Sequence, residues 1–88
     1  GMGKIVEGPL PTNARVAIVD DACSLGGSLL HATRAAEASG CEVVLIAAIL
    51  DRHQGGSEQF LEDGYNFRAI LEADSEGNIV PAKAAEVN

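Results

Sequence analysis

The sequence has no Trp, only two Phe and one Tyr, and only two Cys. Phe60, Tyr65 and Phe67 are most simply core contacts of a thin domain. Cys23 and Cys41 lie too far apart for a metal-type pair and are too few for a disulfide framework, so they read as two reduced thiols of a cytoplasmic protein. Nowhere do eighteen apolar residues follow one another, so the reading is a soluble globular protein with no membrane span, and no secretory signal is visible. Basic residues are scarce as well. Six Lys and Arg face thirteen Asp and Glu, a formal charge of −7, and such a field repels a phosphate-rich polymer. Nucleic acid is therefore disfavoured as a partner. A small phosphorylated ligand is not, because backbone N–H groups at a helix N-terminus hold phosphate without a basic surface.

The 88 residues allow one domain, with a thin core and no separate lid. Gly1 ahead of Met2 reads as an added residue, so the expected domain is 2–88. The first fourteen residues carry Pro9 and Pro11 and no periodicity, and read as an arm and turn. Val16-Ala17-Ile18-Val19 does not alternate, as befits a strand covered on both faces, and Asp20-Asp21 is expected to close it. A small-residue loop follows, Ala22-Cys23-Ser24-Leu25-Gly26-Gly27-Ser28. Leu29, Ala32, Thr33 and Ala36 recur at helical spacing, which predicts a helix over Ser28–Ser39 stopped by Gly40. Glu42 to Leu50 is the second buried strand, so strand, helix and strand form a βαβ unit. After the polar loop Asp51–Gly56, Ser57 is expected to cap a helix over Glu58–Asp63, and Asn66–Leu71 is the third strand. Ser75-Glu76-Gly77-Asn78 signals a turn in a terminal hairpin, and 82–88 reads as a frayed tail. The fold class is α/β: a three-layer, mostly parallel, Rossmann-like half-domain with a C-terminal hairpin.

In an open α/β sheet, ligands bind outside the carboxyl ends of the strands. The loop Ser24–Ser28 has the stronger signature there. Gly26 and Gly27 remove side chains where backbone must approach a ligand, Ser24 and Ser28 offer hydroxyls, and the helix points its positive end at the loop. It lacks the Lys of a Walker A loop and the spacing of a dinucleotide fingerprint. Asp20 and Asp21 repel a bare anion but accept hydrogen bonds from sugar hydroxyls, so acids beside a phosphate cradle suggest a sugar phosphate. Neighbours in a strand point apart, so the two are not read as a paired general acid and base. The blander alternatives are a helix cap after a strand-ending acidic turn, a solvated His31, a packed Cys23, and a solvated helix face for Glu58, Glu62 and Asp63.

Val16-Ala17-Ile18-Val19-Asp20-Asp21-Ala22-Cys23-Ser24-Leu25-Gly26-Gly27-Ser28 resembles the phosphoribosyl pyrophosphate signature of type I phosphoribosyltransferases. Val6-Glu7-Gly8-Pro9-Leu10 before it and Leu50-Asp51-Arg52-His53-Gln54-Gly55-Gly56 after it are similar to the orotate branch, and the resemblance runs from about Gly3 to Leu71. It implies that Asp20 and Asp21 grip the ribose hydroxyls and face the developing oxocarbenium ion. Ser24, Leu25, Gly26, Gly27 and Ser28 would hold the 5′-phosphate, and Arg52 would contact the base. It also implies magnesium carried on the substrate's diphosphate, with no resident metal ligands. Leu25 stands where many members have Thr or Ala, and His53 where Gln is commoner.

The family's pyrophosphate loop, hood and mobile catalytic loop precede the signature, whereas only fourteen residues do so here. The chain thus looks like the C-terminal half of such an enzyme, incomplete for catalysis alone. Three readings follow: half of an orotate-type enzyme completed by another polypeptide, a catalytically silent nucleotide- or phosphate-binding module, or a receiver-like signalling domain. The first two take phosphoribosyl pyrophosphate, a nucleoside monophosphate or orotate as ligands. Uncovered sheet in so short a chain also predicts a homodimer or a complementing partner chain.

Overall fold

The structure, a computed structural model, describes residues 13–82. Its elements run β1 (Arg15–Cys23), α1 (Gly27–Ala38), β2 (Glu42–Asp51), α2 (Gly56–Glu62), β3 (Phe67–Ala73) and β4 (Ile79–Pro81). The sheet order is β1-β2-β3-β4, with β1, β2 and β3 parallel and β4 antiparallel to β3. The α/β class, the βαβ unit and the hairpin are as expected. Asp74 closes the hairpin turn by accepting from the amides of Glu76 and Asn78.

Several boundaries differ. Asp20-Asp21 does not end β1, because β2 continues alongside it and pairs Ala22 with Leu50 and Cys23 with Asp51. Acidic residues favour a turn, but a neighbouring strand in register offers their backbone a ladder. Ser57 does not cap α2. The N-cap is Gly55, at φ 111°, and Ser57 is buried with its hydroxyl donating to Glu58. Ala82 does not belong to a tail, since it is buried and its amide donates to the Ile70 carbonyl. The arm up to Thr12 and the tail from Lys83 lie outside the described residues.

Of the three layers expected, the described residues form two. Val16 and Ile18, Ile46 and Ala48, and Phe67 and Ala69 alternate onto one face, and they share one core with Leu29, Ala32 and Ala36 of α1 and Phe60 of α2. Right-handed crossovers that step in one direction along a sheet put both helices on the same side. The other face leaves Val19, Ile49 and Ile70 about half exposed or more. The non-alternating apolar runs correctly marked parallel strands, but they did not reveal which face the described residues cover.

All three aromatics join the core as expected. Phe60 stacks on Phe67 and meets Tyr65 edge-on, each at 6.2 Å between ring centres. Thr33 is fully buried in α1, and its hydroxyl has no hydrogen-bond partner.

Candidate functional site

The parallel strands β1 and β2 end on one edge, and each runs into a loop and a helix there. These two loops are locked together through their backbones. The Arg52 amide donates to the Cys23 carbonyl at 2.9 Å, and the Gly56 amide to the Ser24 carbonyl at 3.1 Å. A Cβ on Gly56 would sit 2.7 Å from both the Gly26 nitrogen and the Leu25 carbonyl carbon. Gly26, at φ 89°, lies against Gly56 and the Phe60 ring. Only glycine allows this approach.

Beside the contact is a groove of about 330 Å³ lined by Ala22, Ser24, Leu25, Gly26, Gly27, Ser28, Leu29 and Arg52. It brings together the whole expected phosphate loop and the expected base-contacting Arg. Among the described residues no side chain caps α1, which leaves the amides of its first turn without a side-chain acceptor there. Gly27 differs from Gly26 and Gly56. A Cβ there meets nothing within 4 Å, and neither packing nor a positive φ requires glycine.

Adjacent strand residues are expected to point apart, but Asp20 and Asp21 stay in contact through their side chains. Asp20 turns towards α1, where the Ser28 hydroxyl donates to its Oδ2 at 3.0 Å. Asp20 Oδ1 also accepts from the Asp21 amide at 2.8 Å. Asp21 is exposed, and a side-chain hydrogen bond with Asp20 holds its carboxyl below the ordinary value. Ser28 therefore couples the acidic pair to the phosphate loop. Cys23 packs in the core as expected, and burial, then the charges of Asp51, Glu58 and Asp20, push its thiol up to about 11. Such a thiol is inert near neutral pH.

Sequence reasoning missed two features of the Asp51–Gly56 loop. One is Gly56, for which the Gly55-Gly56 pair was the available signal. The other is His53, whose ring nitrogens lie 2.8 Å from Glu58 Oε2 and 2.6 Å from Glu72 Oε1. Glu58 is therefore no mere solvated helix residue. Among the described residues, no three His, Cys, Asp or Glu side chains converge as metal ligands.

No protein-family model matches the chain. Over 70 residues, 80% of its length, it is 43% identical to the orotate phosphoribosyltransferase of Rhodopirellula baltica, of which it spans 36%. The crystal structure of Mycobacterium tuberculosis orotate phosphoribosyltransferase in complex with inorganic phosphate matches 75% of the chain with TM-score 0.70 at 36% identity, over 39% of that protein. The complex of the same enzyme with phosphoribosyl diphosphate matches with TM-score 0.69, also at 36% identity, covering 75% of this chain and 41% of that one.

The sheet edge, its glycine loop and these likenesses define a phosphoribosyltransferase-like chain. Within that class it is orotate phosphoribosyltransferase-like. It spans between 36% and 41% of the length of these relatives.

Proposed function

We propose that this chain carries the part of an orotate phosphoribosyltransferase that holds the 5′-phosphate and ribose of phosphoribosyl pyrophosphate or of a pyrimidine nucleoside monophosphate, in pyrimidine nucleotide formation. The observation that carries the reading is Gly27: an open Cβ position at an uncapped helix start, inside a groove that also presents Arg52. Phosphate oxygens at that point accept from the amides of the first turn of α1. The Ser28 hydroxyl then exchanges its bond to Asp20 for one to phosphate, which leaves Asp20 to accept from the ribose hydroxyls. Asp21, exposed beside Asp20, faces the positive charge that builds on the ribose as the C1–O bond to diphosphate breaks and a bond to a pyrimidine nitrogen forms. Arg52 contacts the base, and magnesium enters on the substrate's diphosphate.

Calorimetry tests this with three ligands. Orotidine monophosphate is expected to bind more tightly than ribose 5-phosphate, and ribose 5-phosphate more tightly than inorganic phosphate. No binding of any of them at millimolar concentration overturns the reading.

Transfer itself needs further polypeptide, since the chain spans about two fifths of its relatives' length. A silent binding module is the second reading, favoured by Ser24 to Ser28 and Arg52 all lining one groove. Orotidine monophosphate formation from orotate and phosphoribosyl pyrophosphate on mixing with the remaining part of a relative decides between them. The open sheet face supports association with a complementing chain or a second copy, and a monomer by light scattering at micromolar concentration defeats that. Nothing favours a receiver-like domain: Asp51, the strand-end acid it would phosphorylate, is 4% exposed and accepts from the His53 amide.

A further inference from the structure

We propose that His53 is the positioning residue of the Arg52 loop: its ring, bridged between Glu58 on α2 and Glu72 on β3, fixes the backbone from which Arg52 reaches the groove. On one side the Arg52 amide ties the loop to Cys23 at the end of β1, and the Gly56 amide ties it to Ser24 in the loop that follows. On its other side the tie is the His53 ring, with Glu58 at 2.8 Å and Glu72 at 2.6 Å. His53 holds φ 54°, a left-handed conformation uncommon for a residue with a side chain, though less so for His than for most. Its amide donates to Asp51 Oδ1, which anchors the residue at the end of β2.

Only the imidazolium donates from both ring nitrogens at once. The charged groups facing it are Glu58 from α2, Glu72 from β3 and Asp51 from β2, the last at 3.6 Å from Nδ1. All three are acidic. The hydrogen bond to Glu58, then that to Glu72, raise the ring to about 9, from an ordinary value of 6.5. The folded value lies above the unfolded one, so the clamp's contribution is complete below about 6.5 and is lost as pH rises through about 9. At neutral pH the clamp is closed.

The test is an NMR titration of the unliganded protein between pH 6 and 10. The His53 ring is expected to titrate above pH 8, and the Arg52 and Gln54 amides to shift with the same midpoint. In His53→Ala, exchange protection of the Arg52 and Gly56 amides falls about tenfold while that of α1 is unchanged. Should that variant unfold, Glu72→Gln keeps the shape and moves the ring midpoint down, and the loop amides follow it. Loop amides that ignore the ring titration, or protection within twofold of wild type, overturn the proposal.

A second arm rests on the nucleotide reading above. His53→Ala is expected to weaken orotidine monophosphate about tenfold and to leave ribose 5-phosphate unchanged, since only the former has a base for Arg52. Equal losses for both would reduce His53 to a purely structural role and overturn the proposal. If the wild type binds neither ligand, the nucleotide reading fails while the titration still decides the clamp.

Discussion

Gly56→Ala is expected to destabilise the fold by about 3 kcal/mol, the upper part of the range for overpacking. The added methyl would stand 2.7 Å from the Gly26 nitrogen and the Leu25 carbonyl carbon and 2.9 Å from the Leu25 oxygen. All three are backbone atoms, so no side-chain rotation relieves the clash. The two loops must separate, and the Gly56–Ser24 hydrogen bond stretches as they do. For a chain of this size total stability is roughly 4–13 kcal/mol, so the loss would be a large fraction of it. Urea unfolding followed by circular dichroism measures the effect as a lower midpoint at unchanged slope. A loss below about 0.5 kcal/mol would mean that the loops are not in backbone contact.

That contact marks where the sequence stops being legible. Elements specified by local chemistry were readable: α1 by the spacing of Leu29, Ala32, Thr33 and Ala36, its end by Gly40, and the hairpin by Ser75 to Asn78. That Ser24 to Ser28 and Arg52 share one sheet edge was readable because strand ends converge there, and they do line one groove. What could not be read depends on residues distant in sequence. The continuation of β1 through Asp20-Asp21 is set by β2 in register, not by the acids themselves. The role of Gly56 is set by Gly26, thirty positions earlier, and that of His53 by Glu72, nineteen positions later. Both were visible as residue types, a glycine pair and a histidine where Gln is commoner in the resembling family. Neither type by itself names the neighbour that gives it a role.

Gly27→Ala separates fold from function, because folding and binding are expected to respond in opposite directions. The Cβ position is open and the residue opens α1 without a positive φ, so alanine fits and gains up to about 1 kcal/mol from its better helix propensity. That same open volume is where a phosphate would approach the amides of the first turn. A methyl there holds the oxygens away from their donors, and orotidine monophosphate and ribose 5-phosphate should each lose on the order of 30-fold in affinity, about 2 kcal/mol. Inorganic phosphate should lose a similar factor, since the methyl acts on the group all three ligands share. Thermal unfolding and calorimetry on one preparation read both effects. A variant as stable as the wild type that binds all three equally well would show that Gly26-Gly27 only starts a helix and that the phosphate lies elsewhere. An unstable variant would instead mean that the space beside Gly27 is filled, which would remove the observation on which the phosphate site rests.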